Sequence, residues 1–151
     1  MKEYKEETKM IQYFVDKWDK NKIKLDEYFR THVPSDNYDS YELILEKIIN
    51  YVLNDSKEDC TFSSAEIVNI DYGDYQGTQI LTFCKNTYQP NEDETFYTVI
   101  SYGSCSGCDT LLGILEYDWG KLPCEEQVKD LMTLALHMIQ KIKCFGDFNE
   151  R

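Results

Sequence analysis

Apolar positions along the chain change period twice. From Glu3 to Arg30, Ile11, Phe14, Val15, Trp18, Leu25, Tyr28 and Phe29 recur at helical spacing, with charged residues between them. The polar run Asp19-Lys20-Asn21-Lys22 interrupts this stripe and predicts a break into two helices. His32-Val33-Pro34-Ser35-Asp36-Asn37 has the composition of a loop. Behind it Tyr41, Ile44, Leu45, Ile48, Ile49 and Val52 fall on one helix face. Asp39 followed by Glu42 has the spacing of a capping box, in which the Asp39 carboxylate accepts from first-turn amides.

The middle of the chain reads as sheet. Ile67 to Tyr72 and Thr78 to Lys85 are rich in β-branched and aromatic residues, and Gly73-Asp74-Tyr75-Gln76-Gly77 between them reads as a hairpin connection. Asn86 to Glu94, with Pro90, reads as a polar loop, and Thr95 to Tyr102 as a third strand. Asp109 is placed to cap a short helix reaching Tyr117, and Pro123 to sit in the first turn of a final helix. That helix carries Val128, Leu131, Met132, Ala135, Met138, Ile139 and Ile142 on one stripe and is expected to stop near Gly146. The expectation is one α+β domain over residues 1–151: a helical part (1–54), a sheet (65–104) and a second helical part (109–146). The sheet is predicted as a three-stranded antiparallel meander, with the N-terminal helices and the C-terminal helix packed on one face.

Composition narrows the class. With 42% of its 151 residues hydrophobic, the chain can bury a core without staples. No apolar run approaches the length of a membrane span, so no membrane partner is expected. MKEYKEETKM lacks the apolar stretch of a secretory signal, so the six cysteines are expected to be reduced thiols in a cytoplasm. Sixteen basic against 28 acidic residues give a net charge of -12, which argues against direct nucleic-acid binding. Residues 1–35 balance eight Lys/Arg against seven Asp/Glu, whereas residues 36–120 set only Lys47, Lys57 and Lys85 against sixteen acids. A one-signed field over half a small domain opposes the compact state. A basic partner is one reason to keep it; general acidity is the other.

Cys105-x-x-Cys108 is the sharpest local motif. It is half of a structural zinc signature, and the other thiols and both histidines, His32 and His137, are single. The same pair in front of a helix has the order of a thioredoxin-like redox centre, but the strands such a fold needs do not follow. The third reading is structural: Gly103 and Gly107 let the loop turn tightly, Asp109 closes it, and the thiols act as small buried hydrophobes. No phosphate loop or dinucleotide fingerprint occurs. His137 falls on the polar side of the last helix, and the spacing of Asp71, Asp74 and Asp109 does not require them to meet. Catalysis is not expected.

The segments Asp74-Tyr75-Gln76-Gly77 and Tyr102-Gly103-Ser104-Cys105-Ser106-Gly107-Cys108-Asp109-Thr110-Leu111 resemble motifs in uncharacterised small proteins encoded by bacteriophages. The resemblance spans residues 66–115, about a third of the chain. It implies no chemistry but does imply a setting, a small protein made in the cytoplasm of a bacterial host.

Two functional classes follow. In the first, the chain is a non-enzymatic binding protein without cofactor. It blocks a basic bacterial nucleic-acid-handling or defence protein, such as a CRISPR effector, by presenting a negative surface. Its candidate contacts are Asp55, Glu58, Asp59, Glu92, Asp93 and Glu94, with Tyr75 and Tyr88 as aromatic anchors and Phe96 beside them. In the second, the Tyr102–Asp109 loop builds a small-ligand or zinc-binding module with Cys105 and Cys108 as ligands or walls.

Overall fold

The first helix, α1 (Lys2–Thr31), runs unbroken through the polar stretch predicted to interrupt it. The reason lies in its tertiary partners. Met10, Phe14, Trp18, Leu25 and Phe29 are buried along one stripe, and Asn21 occupies the same stripe at 3% exposure. Its amide donates to the Val52 carbonyl (2.9 Å) and to Asp55 Oδ1 (3.0 Å), so a polar residue fills a core position with its hydrogen bonds made. Conversely Ile11, read as a core position, is 38% exposed, and Met10 takes its place. This computed structural model describes residues 2–35, 40–73, 77–103, 109–115 and 120–148, with side chains from Glu7 onward.

Helix α2 (Tyr41–Ile48) begins at Ser40, not at the predicted Asp39, which lies outside the described residues. Ser40 is extended, and its hydroxyl accepts from the Leu43 amide at 3.2 Å. The helix continues as a π-helical turn, Ile49–Leu53, which brings Ile49, Val52 and Leu53 into the core together. The six apolar positions read from the sequence are all buried.

Among the described residues the sheet has four strands rather than three. β1 (Phe62–Gly73), β2 (Gly77–Lys85), β3 (Thr95–Tyr102) and β4 (Lys143–Cys144) lie in that order, each antiparallel to its neighbour. The addition comes from the chain after the last helix. α4 (Glu125–Gln140) ends before the predicted Gly146, Ile142 is buried, and Lys143 and Cys144 pair with Tyr97 and Phe96. Two residues are too few to display a strand period, so only the pairing reveals them. β1 is irregular between Ser63 and Val68, where Ser64–Ile67 face Phe83 alone.

Register assigns the two faces. Phe62, Leu81, Phe83, Phe96, Thr98 and Ile100 are buried toward the helices. The Phe14 ring of α1 lies 5.7 Å from Phe96 and 5.9 Å from Phe62, and the Thr98 hydroxyl donates to Met138 O of α4 at 3.1 Å. Phe96 is therefore fully buried and cannot be the surface anchor expected beside the acidic run. On the opposite face, Ile70, Ile80 and Val99 form one row across three strands, flanked by Val68, Thr82 and Tyr97. Tyr72 extends that face to the β1 end, where Thr78 and Ser101 continue its row.

The short α3 (Thr110–Leu115) and α4 close the inner layer. Pro123 does not enter α4, because Cys124 is the N-cap. Gln127 Oε1 accepts from the Cys124 amide (2.9 Å) while its Nε2 donates to Ile114 O (3.2 Å), which ties the start of α4 to α3. On α4 Leu134 is buried and Met132 only partly so, a shift of the predicted stripe by two positions at its middle.

Candidate functional site

The acids singled out from the sequence occupy two regions with different electrostatics. At the first, Asp55 follows the π-helical turn and faces α1. Its carboxylate accepts from Lys17 Nζ (2.9 Å) and Asn21 (3.0 Å), with Lys20 Nζ at 3.4 Å. The Lys17 hydrogen bond, then that of Asn21, draws its pKa down to about 2. Asp59 accepts from the Thr61 hydroxyl (2.6 Å), the Thr61 amide (3.0 Å) and the Asp55 amide (2.8 Å). The Thr61 hydroxyl is the leading cause of its lowered pKa. Both acids shape the turn that leads into β1. Glu58 is exposed, and its carboxylate makes no hydrogen bond or ion pair among the described residues.

The second region lies at the end of the sheet. Glu92–Glu94 form a 3₁₀ turn in place of the expected loop, capped reciprocally by Asn91 and Glu94. The segment after β4 docks on this turn: Gly146 N donates to Glu92 O (2.9 Å), and Asp147 N donates to Asp93 Oδ1 (2.8 Å). A Cβ built on Gly146 would lie 2.9 Å from the backbone N of Asp93 and from the carbonyl carbon of Glu92, so a side chain there forces the two backbones apart. The contact leaves a cleft of about 530 Å³ that includes Glu7, Glu92, Asp93, Asp147, Tyr97 and Phe145 in its lining. Lys143, also in the lining, is paired with Glu7. The Tyr97 and Phe145 rings are 4.7 Å apart, and Phe145 is 53% exposed. Tyr88 projects nearby in sequence at 95% exposure. Glu92 and Asp147 make no side-chain ion pair among the described residues. A cation entering this cleft meets carboxylates and aromatic faces together.

The third candidate, the Tyr102–Asp109 loop, is described only at its ends. Cys105, Gly107 and Cys108 lie outside the described residues, as does Tyr75 of the hairpin. Asp109 is 7% exposed, and both its carboxylate oxygens accept hydrogen bonds. Its Oδ1 accepts from Tyr41 OH (2.7 Å) and the Leu112 amide (3.1 Å), and its Oδ2 from the Gly103 amide (3.0 Å). It caps α3 as predicted and also fixes the end of β3 to α2. Burial, above all, pushes the Tyr41 phenol upward, so it stays protonated and donates. Tyr102 OH donates to Asp71 (2.5 Å) and also lies 3.1 Å from the Gly73 carbonyl. Cys60, Cys84, Cys124 and Cys144 are free thiols; Cys84 Sγ lies 3.7 Å from Thr95 Oγ1. Among the described residues no group of three His, Cys, Asp or Glu side chains is arranged to hold a metal ion, and no helix is long and apolar enough to cross a membrane.

Sequence reading missed Phe145, Asp147, Tyr97 and the outer row of the sheet. The first two come to the acidic turn only through β4. The alternation Val68, Ile70, Tyr72 was visible, but which face would be covered was not. One further property is legible once the strands are placed. Between Lys57 and Lys121 the only cation is Lys85, and it is 9% exposed. Strands β1 to β3 thus display no exposed positive charge. Comparison of the chain with protein-family models, with curated proteins and with solved structures finds no match.

Proposed function

We propose that the chain is a non-enzymatic acidic binding protein of bacteriophage type, acting in the bacterial cytoplasm. Its target is a basic nucleic-acid-handling or defence protein, such as a CRISPR effector, which it inhibits by occupying the surface that holds phosphates. The observation that carries this reading is that strands β1 to β3 display no exposed Lys or Arg and lead to the Glu92–Asp147 cleft, where Lys143 is paired with Glu7 and the Glu92 and Asp147 carboxylates stand near the exposed Phe145 and half-buried Tyr97 rings. Negative charge steers a basic partner to the surface, and aromatic groups supply contact area once it arrives. Glu92, Asp93, Asp147 and Phe145 form the centre of this surface, and Glu58 and Tyr88 are separate exposed groups. Asp55 and Asp59 contribute little, since their carboxylates are engaged within the fold. The zinc or small-ligand alternative rests on Cys105 and Cys108, which lie outside the described residues.

The test is capture from a bacterial lysate at low and high salt, followed by competition of the purified captured protein with its own nucleic acid. Salt-sensitive capture of a nucleic-acid-binding protein, displaced by that nucleic acid, supports the reading. Capture that is insensitive to salt, or stoichiometric zinc with no captured protein, overturns it.

A further inference from the structure

We infer that the outer edge of β1, from Val68 to Gly73, is a docking site for an extended basic segment of the partner, which adds to the sheet as a fifth strand. The inference rests on the basic-partner reading above and names how that partner is held.

Among the described residues β1 is the terminal strand of the sheet, and its length is protected unevenly. At its start Asn54 seals the edge: Nδ2 donates to Phe62 O and Oδ1 accepts from Phe62 N, both at 3.0 Å. The irregularity over Ser64–Ile67 bends the next part away from regular pairing. From Val68 the strand is regular again, paired residue by residue with β2 down to Gly73. Every second N–H and C=O in such a strand points away from its neighbour. No backbone hydrogen bond from another element reaches this stretch among the described residues. Proteins normally blunt an edge of this kind with charge, proline, a bulge or a covering segment. The first part of β1 uses two such devices; Val68–Gly73 uses none beyond Asp71, whose carboxylate accepts from Tyr102 OH.

The outer side chains of the same stretch form a receptive apolar face. Val68 is 54% exposed, Ile70 40%, Tyr72 68% and Val99, two strands away, 39%. An added strand with apolar groups at alternate positions would extend this row, while its backbone completes the edge. Charge identifies the occupant. No Lys or Arg occurs from Glu58 to Cys84, and the charged residues of β1 itself are the exposed acids Glu66 and Asp71. A second copy would bring the same acidic, cation-free strand against its like, so the edge suits a segment alternating basic and β-branched residues.

The probe is a synthetic eight-residue peptide alternating Lys and Val. It is compared with the same peptide N-methylated at alternate residues, and with its Glu/Val counterpart. Binding is followed by amide hydrogen exchange and by titration. The expected result is slowed exchange confined to Val68–Gly73 and their β2 neighbours. Affinity should fall at least about tenfold on N-methylation or on Ile70→Lys, a half-exposed position where the fold survives, and binding of the Glu/Val peptide should be lost. Equal binding of the N-methylated peptide overturns the edge proposal. So does protection at Glu92–Asp147 alone, an outcome that leaves the basic-partner reading standing. Equal binding of the Glu/Val peptide at the edge overturns the choice of a basic occupant and the reading beneath it. A concentration-dependent dimer that Ile70→Lys abolishes overturns the proposal in favour of a second copy.

Discussion

Asp55 and Glu92 look alike in the sequence, each an acid in a short acidic stretch outside any apolar period. In the fold Asp55 faces Lys17, Lys20 and Asn21 of α1, and its negative charge is balanced within the molecule. Glu92 uses only its backbone carbonyl, which accepts from Gly146, and leaves its carboxylate to solvent. The near-neutral N-terminal helix thus compensates Asp55, whereas to the Glu92–Asp147 cleft it contributes Glu7, paired with Lys143, and no cation among the described residues. Net charge per segment therefore overstates the charge available to a partner. What counts is which acids the basic helix reaches.

The comparison can be sharpened by removing engaged acids, beginning with the most deeply buried. Asp109→Ala leaves Tyr41 OH and the amides of Gly103 and Leu112 without their acceptor in the interior. A loss of about 3 kcal/mol in unfolding free energy is expected, read by denaturant titration. A change below about 1 kcal/mol would show that the loop end relaxes to water and that Asp109 is not a structural anchor.

Gly146→Ala attacks the other region through its backbone. The added methyl cannot occupy its place without moving the tail from the 3₁₀ turn. A loss of about 2 kcal/mol is expected, with faster hydrogen exchange at Phe145 and Gly146. An unchanged exchange pattern would mean that the tail does not define the cleft.

Asp55→Asn should cost about 1 kcal/mol near neutral pH, a modest figure because the side chain is about one-third exposed. The pH dependence has a definite sign. The folded value is about 2 against an ordinary 3.8, so the stabilisation is complete above 3.8 and is lost as pH falls toward 2. Wild type should therefore lose stability more steeply than Asp55→Asn across that window in acid-titrated melts. Parallel curves would remove Asp55 from the internally balanced group.

The smallest effects on stability belong to the unpaired acids. Glu58→Gln and Glu92→Gln should each lie within about 0.5 kcal/mol of wild type in thermal melts. A larger loss at Glu92 would place its carboxylate among the structural acids.

The helix faces were readable because burial there repeats at a fixed period: all six positions read between Tyr41 and Val52 and most of the α4 stripe are core. Features set by contacts distant in sequence were not. Asn21 looked like a helix breaker because its partners, Val52 O and Asp55, lie more than thirty residues away. β4 has two residues and exists only through β3. The Glu92–Glu94 run was recognisable as acidic, but Phe145 and Asp147 reach it solely through that short strand. Phe96 was misjudged because an acidic neighbour in sequence says nothing about which side of a strand a ring occupies.

The most direct test of the account is the association rate of the captured basic partner with wild type, Glu92→Gln and Asp55→Asn over a range of ionic strength. Each substitution removes one negative charge, so a difference between them reports location rather than net charge. The account predicts that Glu92→Gln slows association about threefold at low salt and flattens its salt dependence, while Asp55→Asn stays close to wild type. Superimposable curves for the two variants, or a larger effect at Asp55, would contradict it.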